Sequence, residues 1–142
     1  MLKTILQACE NFCLHQIRLP YHICDVQTKK RTLIAYIDIN RVDGINYRVY
    51  VAAEPSFVQR VSKLFLEEDE SDEETLIDMI LETSNLIVGS AKVIAQESGQ
   101  SAYDINTPHF LKVDIFDLEY DEAGSLKIND DKIIIAIKEL NG

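Results

Sequence analysis

Residues 32–51 read TLIAYIDINRVDGINYRVYV, and their alternation decides the architecture. Leu33, Ala35, Ile37 and Ile39 alternate with Ile34, Tyr36 and Asp38. Beyond Asp43-Gly44, Ile45, Tyr47, Val49 and Val51 alternate with Asn46, Arg48 and Tyr50. A period of two sends successive side chains to opposite faces of a strand. Asp-Gly supplies the positive φ that a tight reversal needs. The stretch predicts a β-hairpin.

Upstream of the hairpin, Leu2, Ile5, Leu6, Cys9, Phe12 and Cys13 recur at helical spacing, which predicts an amphipathic helix over residues 2–14. Pro20 prevents its continuation, and residues 16–30 carry no decisive pattern. Downstream, Pro55 suits the first turn of a helix, where its missing N–H is not needed. Phe57, Val58, Val61, Leu64 and Phe65 continue that helix up to an acidic tract, EEDESDEE at residues 67–74. Ser71 with Glu74 reads as a capping box opening a longer helix that ends near Ser98, with Gly99 as its stop. After Pro108 come two β-like runs, near residues 110–120 and 132–139, with Ala123-Gly124 in the turn between them. The expected fold is α+β, a largely antiparallel sheet carrying two long helices plus an N-terminal one, in a single domain over residues 1–142.

Charge narrows the function. With 14 basic and 24 acidic residues the net charge is −10, which disfavours nucleic acid and anionic membrane surfaces as partners. No apolar run is long enough to cross a bilayer. The opening MLKTILQACENFC is too polar for a secretory signal, so the cytoplasm is the expected location. Three cysteines, an odd number without a CxxC pair, do not form a disulfide framework. Cys9 and Cys13 share a helical face, with His22 and Cys24 behind them. This set reads as packed thiols rather than zinc ligands, which more often come from tight turns. His15, His22 and His109 are not tied by spacing to a nucleophile.

The long helix has a wide apolar face of Ile77, Ile80, Leu81, Ile87, Val88, Ala91, Ile94 and Ala95, which also takes in Ser84. Opposite runs a narrow line of Glu74, Asp78, Glu82, Asn85, Gly89, Lys92 and Gln96. Two of these are unusual for an ordinary solvated face. Asparagine is a mediocre helix former, and glycine costs about 1 kcal/mol relative to alanine in a helix interior. A glycine beside an amide and a carboxylate lets another surface approach; a strand of the same chain crossing the helix would use it equally well.

The spacing Asp78-x3-Glu82-x2-Asn85-x22-Pro108 resembles the D/S-x3-E-x2-N-x22-P signature of the CheC/CheX/FliY chemotaxis phosphatases, and Glu82 to Gly89 looks like their ExxNxxxG helix. A single copy is similar to the CheX type rather than to the two-site CheC type. The resemblance implies an aspartyl-phosphate phosphatase acting on a phosphorylated CheY-type response regulator. It implies that Glu82 pairs with a receiver lysine and that Asn85 enters the receiver site to orient the attacking water. Such chemistry depends on positioning and charge stabilisation more than on covalent help. An amide can hold a water because it both donates and accepts. Asp78 would support the pair electrostatically, Gly89 would admit the partner, Lys92 would touch an acidic group or remain solvated, and Pro108 would close the loop back to the sheet. No cofactor of its own is implied, since the Mg²⁺ belongs to the receiver. A homodimer through the sheet is expected from the same resemblance and from the apolar runs at residues 111–118 and 132–139, whose edges need a cover. The N-terminal segment is the other candidate cover. A non-catalytic adaptor of the same fold, docking a receiver or a flagellar switch component, is the alternative function.

Overall fold

The computed structural model describes residues 1–100 and 102–140. In chain order, α1 (Leu2–Asn11) runs into a π-helical stretch (Phe12–Ile17), followed by β1 (His22–Cys24), β2 (Thr32–Arg41), β3 (Asn46–Ala53), α2 (Pro55–Leu66), α3 (Glu73–Glu97), β4 (Tyr103–Ile105), β5 (His109–Asp114), β6 (Glu122–Ile128) and β7 (Asp131–Glu139). The strands form one sheet in the order β1-β6-β7-β3-β2-β4, with β5 also paired to β2, and every pairing is antiparallel. The α+β expectation holds.

The hairpin forms as its alternation predicts, Leu33 opposite Ala53 and Asn40 opposite Asn46. Leu33, Ala35, Ile37, Ile39, Val49, Val51 and Ala53 all point into the core beneath the helices. Ile34, Tyr50 and Ala52 face the other way, into a smaller cluster with Ile134, Ala136 and Phe116. The sheet thus buries apolar side chains on both faces, which is why β2 and β7 read as nearly continuous hydrophobic runs.

Four expectations need correction. Ala123-Gly124 is not a turn but lies within β6, and Gly124 is there because α1 comes close: a Cβ at that position would stand 2.5 Å from Leu6 Cδ1. The reversal into β7 falls at Asn129, which has φ of 54°. The 132–139 run is no edge, since β7 sits between β6 and β3. The helix at the N-terminus is α-helical only to Asn11 and then widens, ending at Arg18 in the left-handed region. Finally, Ser71 does not cap α3. Asp72 does, its carboxylate accepting from the Thr75 amide at 2.8 Å, while Ser71 is held by Gln59, Glu68 and Ser62.

The N-terminal segment does cover one edge, β1 pairing with β6. Cys9 and Cys13 are buried in the main core, and Cys24 Sγ lies 3.0 Å from Ser125 Oγ. Among the described residues no helix is long and apolar enough to cross a membrane.

Candidate functional site

α3 is the platform. Asp72 and the acidic first turn, Glu73 and Glu74, oppose the positive end of the helix dipole. At the other end Gly99, with φ of 73°, lets the Gln100 amide reach the Ala95 carbonyl at 2.9 Å, closing the helix as a Schellman motif. Between these caps the helix packs on α1, α2 and the strands of the hairpin.

Its inner side is consumed by packing. Ile80, Thr83, Ser84, Ile87, Val88, Ala91 and Ala95 are buried. Ser84 falls on this side as the sequence pattern places it; Thr83, which the pattern did not flag, joins it. Both hydroxyls bond back into the helix at 2.7 Å, Thr83 to the Met79 carbonyl and Ser84 to that of Ile80. A third hydroxyl comes from outside: Tyr103 on β4 donates to the Val88 carbonyl at 2.9 Å. Burial pushes the Tyr103 phenol well above its usual pKa, so it remains a donor. Sequence reasoning missed this residue because β4 is too short to show a period.

The outer side is the opposite. Asp78, Glu82 and Asn85 are exposed, and their side chains make no hydrogen bond or ion pair with another described residue. Glu82 and Asn85 lie three positions apart and so share one face of the helix. Gly89 follows one turn later. Apart from its chain neighbours and the helix's own backbone, no described atom lies within 4 Å of where its Cβ would stand, so no described strand crosses the helix there. Lys92 is half-buried, its ammonium 4.0 Å from the Asp104 carboxylate. Pro108 lies apart from this line, in the short break between β4 and β5. Both of those strands run along β2, and Asn106 bridges the break by donating from its backbone and its amide to the Asp38 carbonyl, each at 3.0 Å.

The line is convex. A cleft of about 290 Å³ opens on the flank, with Phe12, Phe65 and Leu86 beside Asn11, His15 and Gln16 in its lining, but neither Glu82 nor Asn85 lines it. Small-molecule sites are concave. A protruding carboxylate and amide beside an open glycine instead suit insertion into a pocket that a macromolecular partner brings. Among the described residues no three His, Cys, Asp or Glu side chains gather into a metal site.

A family model described as chemotaxis phosphatase CheX matches residues 35–128, a span that contains the whole Asp78–Pro108 spacing. The chain superposes on CheX from Vibrio vulnificus with a TM-score of 0.79 at 16% identity, covering 98% of each chain. For CheX from Desulfovibrio desulfuricans the TM-score is 0.74 at 18% identity, covering 97% of each. The CheX-CheY-BeF3-Mg²⁺ complex from Borrelia burgdorferi gives 0.66 at 16% identity, over 96% of this chain and 97% of that one. At these identities the structural likeness speaks for the fold alone. No curated protein matches the sequence.

Proposed function

The chain belongs to the CheX family of chemotaxis phosphatases, and on that premise we propose that it hydrolyses the aspartyl-phosphate of a CheY-type response regulator through the outer line of α3. One observation carries the reading. Glu82 and Asn85 stand exposed and without a side-chain partner among the described residues, on one helix face beside the open space at Gly89. The Borrelia burgdorferi neighbour, crystallised with CheY, BeF3 and Mg²⁺, supports the choice of partner.

In the proposed reaction Glu82 docks a lysine ammonium of the receiver, and Asp78, one turn earlier, adds to the negative potential. Asn85 enters the receiver's site. Its Oδ1 accepts from a water O–H and fixes the direction of the water lone pair. The water oxygen bonds to phosphorus in line while the bond from phosphorus to the aspartate oxygen breaks. The carboxylate leaves with the electron pair, and the water proton passes to phosphate or solvent. The products are free aspartate and inorganic phosphate, with nothing left on this chain. Gly89 allows the two backbones to approach, and Lys92 meets an acidic group at the rim. Pro108, lacking an N–H, keeps β4 and β5 separate along β2. The Mg²⁺ of the reaction is part of the receiver substrate.

A homodimer belongs to the same proposal. Among the described strands β5 pairs only with β2, which leaves its outer edge for a second copy. The test of function is direct. Receivers from the same genome are phosphorylated with acetyl phosphate, and phosphate release is followed with and without the protein. Accelerated release is expected. Tight binding without acceleration would establish the adaptor instead.

A further inference from the structure

We propose that Tyr103 is a positioning residue, whose hydroxyl fixes how α3 is rotated on the sheet and so where Asn85 points. This rests on the reading of the outer line as the phosphatase site. The starting point is what holds α3 in place. Its inner side is aliphatic, and apolar burial is strong but non-directional, resisting separation more than rotation or sliding. Thr83 and Ser84 bond to carbonyls of their own helix, so they move with it. Thr4 of α1 donates to Gln100 just past the C-cap, and Ser71 before the N-cap is held by Gln59 and Ser62 of α2, so the two ends are tied. Between them, within Glu73–Glu97, the bond from Tyr103 to Val88 is the one hydrogen bond to another element among the described residues, and the one near Asn85. The single ion pair there, Lys92 with Asp104, spans 4.0 Å with Asp104 almost fully exposed, and such pairs fix little.

The anchor and its target are both well placed. Tyr103 is 1% exposed, and β4 is tied to β2 from Ile39 to Arg41, with Asn106 stitched to Asp38 just beyond. Val88 lies three residues after Asn85 and directly before Gly89. Its carbonyl is in the helix interior, where the amide four residues on already serves it. The phenol is therefore not needed to satisfy the helix, and its effect is one of direction. A side-chain tip stands ~6 Å from a helix axis, so a rotation of about 10° displaces it by about 1 Å. Misplacement on that scale can cost about 100-fold in rate.

Tyr103→Phe keeps the ring and leaves no buried acceptor without its helix partner. For a CheY-type receiver phosphorylated with acetyl phosphate, kcat is expected to fall about tenfold while KM stays within about twofold. Ile134→Val is the control, a loss of core packing on the sheet face away from the helices; it is expected to keep wild-type kcat. Unchanged kcat in Tyr103→Phe overturns the inference and leaves the reading of Asn85 standing. An equal loss in Ile134→Val also overturns it, because the effect would then be one of general stability. Wild-type protein that accelerates no receiver overturns the reading and the inference together.

Discussion

On its inner side α3 presents Ile80, Thr83, Ser84, Ile87 and Val88, none more than 1% exposed, with both hydroxyls bonded. On its outer side, within the same turns, Asp78, Glu82 and Asn85 stand in solvent with no partner among the described residues. The inner set is explained entirely by folding, the outer set not at all. Residues with no work to do in the fold are where function is to be sought, because nothing else requires an asparagine and a glycine in mid-helix. If the two sides are this separate, with the Tyr103 hydroxyl as the proposed link between them, changes to the inner aliphatic packing should move stability and changes to the outer line should move activity.

The largest effect belongs to the inner side. Ile87→Ala empties a fully packed position beneath the helix and is expected to destabilise by about 3 kcal/mol. Urea unfolding checks this through the midpoint. Residual folded protein should hydrolyse receiver phosphate at nearly the wild-type rate per folded molecule. A rate that collapses while the fold persists would show that the two sides are coupled.

Asn85→Ala is the mirror image. Truncating an exposed, unpartnered amide should leave the unfolding midpoint within experimental scatter or raise it slightly, since alanine is the better helix former. Activity is expected to fall on the order of 100-fold, about 2.7 kcal/mol of transition-state stabilisation. Single-turnover hydrolysis of a phosphorylated receiver measures it. Wild-type turnover would remove Asn85 from the mechanism.

How much of this was open to reading from the chain differs by region, for physical reasons. The hairpin and α3 were legible because long amphipathic elements repeat their pattern many times, and because Asp43-Gly44 and Gly99 mark their ends. The C-terminal strands were not. Gly124 resembles a turn residue but is a strand residue making room for Leu6, a contact with α1 more than a hundred positions away. β1 and β4, three residues each, are too short for any period. The cap of α3 was misplaced by one residue because Ser71, Asp72 and Glu74 all carry capping chemistry and only packing against α2 decides among them. At the site, the outer line could be read from spacing alone, whereas Tyr103 could not, since its role depends on how the chain returns after the helix.

Glu82→Lys tests the outer side with a smaller effect. Reversing the charge sets two cations against each other where a pair is proposed, and affinity for a BeF3-activated receiver should drop about tenfold. The loss should shrink as salt is added, because exposed charges are screened. Calorimetric titration at two ionic strengths reads both. Unchanged affinity would take Glu82 out of the interface.

Gly89→Ala gives the smallest effect and separates the two sides most cleanly, because stability and function should move in opposite directions. The residue sits in regular helix rather than in the left-handed region, and apart from its chain neighbours and the helix's own backbone no described atom comes within 4 Å of the added methyl. Nothing among the described residues therefore opposes the substitution. Alanine is favoured over glycine in a helix interior, so the variant should be more stable by about 0.5–1 kcal/mol. A receiver lying against Asn85 would meet that methyl where the helix surface is now bare, and binding should weaken several-fold, about 1 kcal/mol at most. Urea unfolding and titration with a BeF3-activated receiver together decide it. A variant that gains stability and keeps full affinity would mean that the partner does not approach the helix at Gly89. The contact would then have to lie nearer Glu82, toward the N-terminal half of α3.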